Sequence, residues 1–204
     1  MMMNKVKIAP LILSVILFFG CTLQKTTIDV ASVIGTDSMK TDTAYITVIF
    51  DPQNPESVIA AHSYVFIGEV IQYVKTDNQI KADIPFTTYS VRVIENLKGA
   101  LKTDQDIEIK KLGGLKQNSD IFEYVDGDIL PKVGETYLFA AYVGNVELLC
   151  CGPGTTYSLP GDLYVDSETY RVFKETLSKP ITIEFRSLDL SKLSKYDINY
   201  NSGE

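Results

Sequence analysis

The chain has 204 residues, of which 45% are hydrophobic and 22% are charged, so its composition excludes a disordered or collagen-like protein. Its formal net charge of -7 argues against nucleic-acid binding, because phosphate contacts need a basic surface. One histidine and three cysteines, with no Cys/His ligand spacing, lead us to predict no metal site and no cofactor.

The chain begins with the organisation of an export signal. Lys5 and Lys7 precede an apolar stretch over residues 8–19, which is shorter than the roughly 20 apolar residues of a transmembrane helix. Gly20 and Cys21 follow directly. This order resembles the lipobox of bacterial lipoproteins, in which the cysteine thiol receives a diacylglycerol and becomes the first mature residue. The resemblance covers only the beginning of the chain.

The resemblance predicts a signal peptide over residues 1–20 and lipidation of Cys21, with palmitate as an attached acyl group. The protein is then expected on the extracytoplasmic face of the cell membrane, held by its lipid anchor. Residues 21–43 are rich in Thr, Ser, Asp and Lys and are predicted to form a flexible tether. Two alternatives stay open, namely cleavage elsewhere with Cys21 as a free thiol, and an uncleaved signal anchor.

Short apolar runs separated by turn residues follow the tether, in the pattern of β-strands. The predicted strands, in chain order, cover residues 44–50, 64–74, 87–95, 106–111, 121–125, 136–143, 146–151, 155–159 and 181–185. A short helical turn is predicted over residues 56–62 and a hairpin over residues 163–173. Strand spacings near ten residues favour a small antiparallel barrel or sandwich. We therefore predict an all-β domain over residues 44–186 and a polar, loosely attached tail over residues 187–204.

Five segments of this domain occur in a recognisable order along the chain. They are YVFIGEV (64–70), YSVRVIENLKG (89–99), IEIKKLGG (107–114), VGETYLFAA (133–141) and TTYSL (155–159). This order resembles uncharacterised exported bacterial domains whose fold is similar to the OB-type barrel of tissue inhibitors of metalloproteinases and netrin modules. The resemblance covers roughly residues 58–165 and implies a small antiparallel OB-like β-barrel. It does not carry over inhibition, because the disulfide pattern is missing and Cys21 is distant from the first strand.

His62 is the one imidazole that the chain offers as a general base. Serines and acids near it in sequence are Ser57, Ser63, Glu56 and Glu69. A nucleophilic relay needs a strained nucleophile turn and an oriented acid, and the chain has no G-x-S-x-G frame. We predict that His62 is a partly exposed residue before a strand, and that no residue is catalytic.

Two other groups of reactive side chains have structural explanations. The acids Asp120, Glu123, Asp126 and Asp128 do not have the spacing of a calcium loop, and a solvated acidic loop explains them as well as a calcium or glycosidase site does. Cys150 and Cys151 are neighbours, so a disulfide between them would be strained. We expect two small, partly buried thiols without a redox role.

Aromatic and basic residues supply two candidate binding surfaces. The tyrosines on predicted strands are Tyr64, Tyr73, Tyr89, Tyr124, Tyr137, Tyr142, Tyr157 and Tyr164. We expect most of them to fill and rim the barrel, although outward-facing ones would suit peptides or sugars. The lysines Lys98, Lys102, Lys110, Lys111 and Lys116 form a basic band that we interpret as a solvated sheet face, with docking as the alternative.

Together these patterns predict a membrane-anchored extracytoplasmic lipoprotein that acts as a non-catalytic binding or interaction module. Its expected partners are the membrane, through the lipid anchor, and an extracellular protein or cell-wall component; nucleic acid is not expected. Two alternatives from other classes are a protease inhibitor, which rests on fold analogy alone, and a cell-wall hydrolase using the acids of residues 120–128.

Overall fold

The computed structural model describes residues 40–78 and 84–201. The predicted signal peptide, Cys21 and most of the tether lie outside these residues. The described residues are 40% strand and 15% helix, which confirms a mostly β protein. No helix in these two ranges is long and apolar enough to cross a membrane.

The described residues form nine strands and three short helices. The strands are β1 (Lys40–Ala44), β2 (Tyr64–Asp77), β3 (Phe86–Lys98), β4 (Ile107–Leu112), β5 (Gly114–Leu115), β6 (Ile121–Val125), β7 (Thr136–Gly144), β8 (Glu147–Leu149) and β9 (Thr156–Leu159). The helices are α1 (Pro55–Ala61), a 3-10 helix (Gly161–Asp166) and α2 (Glu168–Leu177). Seven of the predicted strands and the helical turn at α1 thus appear close to their expected places.

The main sheet has six strands in the order β2-β3-β4-β8-β7-β9, and β2 also pairs with β7. It is a curled mixed sheet that does not close into a barrel, whereas the sequence predicted a small antiparallel OB-like barrel. The reason lies at β8, which returns antiparallel to β7 after the turn at Asn145 and Val146. This direction makes β8 parallel to β4, along which it pairs for only two residues. A second sheet, β1-β6-β5, has three strands.

Strand β2 is apolar on both faces because both faces are covered. Tyr64 and Phe66 belong to a first apolar cluster with side chains of β3, β4, β7 and β8. Val65 and Ile67 point the other way, into a second apolar cluster shared with α1 and α2. Alternating side chains of a strand reach opposite faces, so a continuous apolar run indicates a central strand, as predicted.

The first predicted strand is displaced along the chain. Residues 40–44, expected mostly as tether, form β1 and pair in parallel with β6. Residues 45–50, expected as strand, contain no strand. The backbone N–H of Asp126 donates to the carbonyl of Ala44 at 2.9 Å, and β6 has already ended at Val125, so no neighbouring strand remains for residues 45–50.

The hairpin expected over residues 163–173 is wrong, because this segment is helical. Ser167 begins α2 as its N-cap, with its Oγ accepting the Tyr170 N–H at 3.2 Å. Phe173 is buried in the second apolar cluster, and Tyr170 and Leu177 pack against it. These three residues have the spacing of one helix face, so the helical signal was present but spans only a few residues.

The end of the chain also differs from its prediction. Residues 181–185 form no strand. The tail is anchored at Ser194 and Asp197, which are 0% and 2% exposed, so its expected loose attachment is wrong there. Tyr64 Oη donates to Asp197 Oδ2 at 2.7 Å and accepts the Ser194 N–H at 3.1 Å. The tail therefore packs against β2 through a buried tyrosine.

Replacing Tyr64 with phenylalanine is expected to lower the free energy of unfolding by about 1–3 kcal/mol, because the buried Asp197 carboxylate and Ser194 N–H lose a partner. Urea denaturation measures the loss, and limited proteolysis reports faster cleavage near residue 194. Tyr45→Phe is the matched control, since Tyr45 is 79% exposed. Equal stability of the two variants would contradict this role of Tyr64.

Candidate functional site

A largely apolar cavity of about 430 Å³ lies where the extended segment 45–50 crosses the domain. Its walls come from that segment, the end of α1, β4, β7 and two loops. The lining residues are Ile46, Thr47, Val48, Ile49, Phe50, Ala61, His62, Leu112, Tyr142, Cys151 and Leu188.

Segment 45–50, which we call the strap, forms one wall of this cavity. Ile46, Val48 and Phe50 are half-buried and line the cavity, whereas Tyr45 is exposed. The strap backbone makes no hydrogen bond with other described residues. Gly152 lies beneath the strap at φ +103°, and a Cβ there would come within 2.9 Å of Val48 Cγ1. Side-chain packing, not a β-ladder, therefore holds this wall in place.

His62 is the most buried polar residue on the cavity wall, at 1% exposed. Its Nδ1 lies 2.7 Å from the carbonyl oxygen of Val58, one turn back in α1, and its ring meets Phe50 edge-on at 4.9 Å. Burial lowers the His62 pKa to about 4, and the nearby cations Lys98 and Lys111 lower it as well. The prediction of a partly exposed histidine is wrong, and at neutral pH this imidazole is uncharged.

The other ionisable groups of the wall are neutral too. Burial raises the pKa of Tyr142 and that of Cys151 to about 12. Cys150, which is fully buried behind the wall, also has a raised pKa for the same reason. Both cysteines are free thiols, as expected, and a pKa this high keeps them in the unreactive thiol form.

A buried ion pair lies next to the cavity. Lys111, which precedes the wall residue Leu112, is 0% exposed and donates to both oxygens of Asp128 at 2.7 and 2.8 Å. Its ammonium also donates to the hydroxyls of Thr155 and Thr156, at 3.1 and 2.9 Å. Burial raises the Asp128 pKa, although the ammonium opposes that shift. The pair joins β4 to the loop between β6 and β7, and the hydrogen bonds to Thr155 and Thr156 connect it to the start of β9.

The structure does not bring the residues of the considered relay together. Ser57 Oγ accepts the Asp51 N–H, and Ser63 Oγ donates to the carbonyl of Leu190. Glu56 binds Thr182, and Glu69 lies 3.9 Å from Arg92. None of these side chains bonds to His62, whose ring bonds to Val58.

The four acids of residues 120–128 are also dispersed. Asp120 pairs with Lys40, Glu123 with Lys116, and Asp128 with Lys111. Within residues 40–78 and 84–201, no three His, Cys, Asp or Glu residues are grouped in a way that would hold a metal ion. Three of the acids thus have separate ion-pair partners, Asp126 is exposed, and the four do not form one site.

The predicted basic band does not form one surface. Lys98 donates to the carbonyls of Ile59 and His62 at 2.7 and 2.6 Å, and so caps the end of α1. Lys110 pairs with Glu147, and Lys111 is buried. Among the tyrosines considered as binding residues, Tyr64, Tyr89 and Tyr137 are core residues.

The cavity is not predicted from the sequence. The alternation of residues 44–50 predicts a strand of the sheet, although this segment forms a cavity wall. Tyr142 is one of many tyrosines on predicted strands, and Leu188 lies in the predicted loose tail. The wall combines residues far apart in sequence, so local patterns do not reveal it.

Comparison with protein-family models finds none that matches this chain, and comparison with curated protein sequences also finds no match. The geometry of the cavity therefore carries the functional argument.

Proposed function

We propose that this protein is a lipid-anchored, extracytoplasmic binding module whose cavity takes an uncharged, apolar small molecule. One observation carries the proposal: the cavity is lined mainly by aliphatic and aromatic side chains, and its lining contains no Asp, Glu, Lys or Arg. Burial of its three ionisable groups favours their neutral forms, because it lowers the pKa of His62 to about 4 and raises the pKa of Tyr142 and that of Cys151 to about 12. A charged ligand would lose its hydration there without gaining a counter-ion, which costs several kcal/mol.

A non-catalytic role agrees with the chemistry of the wall. A neutral histidine whose ring bonds to the Val58 carbonyl lacks an oriented acid and a nucleophile, and the thiol beside it is not activated. The two alternatives, a protease inhibitor and a cell-wall hydrolase, have no supporting contact among the described residues. We therefore retain binding as the proposed activity.

We also propose that the curled sheet is an OB-type module, a fold described as a partly open barrel. The pairing of β2 with both β3 and β7 supports this assignment, as does the parallel pairing of β4 with β8. The ligand cavity would then lie outside the first apolar cluster, between the sheet and the strap.

The lipid anchor is tested by the intact mass of the membrane-extracted protein. We expect a mass that fits residues 21–204 plus diacylglycerol and acyl chain, and loss of that modification in Cys21→Ser. An unmodified mass that begins elsewhere would contradict the anchor, without bearing on the cavity.

Filling the cavity is expected to weaken ligand binding. The probe is butylbenzene, and the protein is the full chain in lipid nanodiscs. Empty nanodiscs serve as the blank that corrects for partitioning of the probe into lipid.

Val48→Trp places a large ring on a wall position and is expected to weaken butylbenzene binding at least tenfold. The matched control, Tyr45→Trp, changes an exposed strap residue that does not line the cavity. The chain has no other tryptophan, so each variant also reports its own site by fluorescence. Butylbenzene binding that is absent, or equal in both variants, would contradict the proposed function.

A further inference from the structure

The hydrogen bond of His62 determines which ring nitrogen carries the proton. A carbonyl oxygen only accepts hydrogen bonds, so Nδ1 must donate to the Val58 oxygen 2.7 Å away. In the neutral imidazole the other nitrogen, Nε2, then holds a lone pair. No described residue donates to Nε2, although His62 is 1% exposed and its ring borders the cavity. Nε2 is thus an acceptor without a donor on a ring that borders the cavity, and a ligand donor that enters the cavity can bond to it.

A donor lies on the same wall. The Tyr142 ring is 6.5 Å from the His62 ring, centre to centre, and also borders the cavity. Its hydroxyl makes no hydrogen bond with another described residue. The mainly apolar lining of the cavity therefore includes an acceptor and a donor on two rings whose centres are 6.5 Å apart.

We propose that the cavity recognises an apolar molecule that carries one hydroxyl group, an alcohol or a phenol. The ligand O–H donates to His62 Nε2, and the ligand oxygen accepts from Tyr142 Oη. This inference rests on the proposed function and specifies the ligand of the same cavity. A carboxylate fits poorly, because it offers no donor and would face the Nε2 lone pair. An ammonium group has no carboxylate on this wall to receive it.

The test compares 4-butylphenol with butylbenzene, which differ only in the hydroxyl group. Both are titrated into the full chain in lipid nanodiscs, with ¹⁵N-labelled histidine and no histidine tag. His62 is the only histidine of the sequence, so its two ring nitrogens give an unambiguous spectrum. We expect 4-butylphenol to bind about tenfold more tightly and to shift the Nε2 resonance in the direction of a hydrogen-bonded nitrogen.

Tyr142→Phe removes one hydroxyl and keeps the ring. It is expected to reduce the preference for 4-butylphenol over butylbenzene about three- to tenfold. Tyr124→Phe, on β6 and away from the cavity lining, is the matched control. His62→Phe is expected to remove the preference for 4-butylphenol as well. If that variant does not fold, the Nε2 resonance of the wild-type protein still tests the hydrogen bond to the ligand.

The outcomes separate the two proposals. Binding of both probes with equal affinity and no shift of Nε2 would overturn the hydroxyl inference and leave the apolar cavity intact. Binding of neither probe would overturn the proposed function itself. A preference for 4-butylphenol that survives Tyr142→Phe unchanged would remove Tyr142 from the recognition.

Discussion

Asp128→Asn is expected to lower the free energy of unfolding by about 3–5 kcal/mol, the range found when one partner of a buried ion pair is removed. Lys111 has no exposed surface. Its ammonium makes four short contacts with oxygen atoms, two of them in the Asp128 carboxylate. The hydroxyls of Thr155 and Thr156 remain, but they do not neutralise a charge. The variant therefore either buries an unpaired ammonium or deprotonates it, and both options destabilise the native state.

Urea denaturation at pH 7 measures this effect. Asp126→Asn is the matched control, since it removes the same charge two residues away at a position that is exposed. Adding Lys111→Met to Asp128→Asn is expected to recover part of the loss, because the uncompensated charge is then gone. A loss below about 1 kcal/mol for Asp128→Asn, or no recovery in the double variant, would contradict the buried pair.

When the pH falls from 7 to 4, protonation of His62 is expected to lower the free energy of unfolding by about 3 kcal/mol. Burial lowers the pKa of this histidine from 6.5 in the unfolded chain to about 4 in the folded one. Between pH 4 and pH 6.5 the unfolded state binds more protons than the folded state. The free energy of unfolding therefore rises as the pH rises and decreases as the pH falls. One pKa unit corresponds to about 1.4 kcal/mol, which gives the stated magnitude.

The measurement is the free energy of unfolding at several pH values between 4 and 7, for the wild type and for His62→Phe. Carboxylates titrate in the same range, so the difference between the two curves isolates the histidine. Tyr142→Phe is the control that keeps His62 and should keep the full pH dependence. Parallel curves for wild type and His62→Phe would show that protonation of His62 does not oppose folding.

Much of the fold was predictable from local patterns. The period-2 alternation of β3 and β4 and the two-faced apolar run of β2 were sufficient to place these strands. Helix α1 begins at a local signal, because Asn54 caps it and Pro55 occupies its first turn. The segment 163–173 was misassigned because its ten-residue helix shows only one repeat of the helical face.

The candidate site was only partly predictable. Lys111 lies on the same face of β4 as Ile107 and Ile109, so the alternation that predicted the strand also places this lysine inside. This position contradicts the interpretation of Lys111 as part of a solvated basic band. Burial of His62 has no comparable signal, because it depends on Phe50 and Tyr142 arriving from the strap and from β7.

The sequence alone determined that this is an acidic, mostly β domain preceded by a segment that resembles an export signal, since composition and short-range periodicity carry that information. Tertiary structure decided that residues 45–50 form a wall and not a strand, because whether an extended segment joins a sheet depends on a free neighbouring edge. It also decided which ionisable groups are buried together, and hence that the cavity is uncharged. Burial of a side chain is set by contacts between distant parts of the chain, which local patterns do not encode.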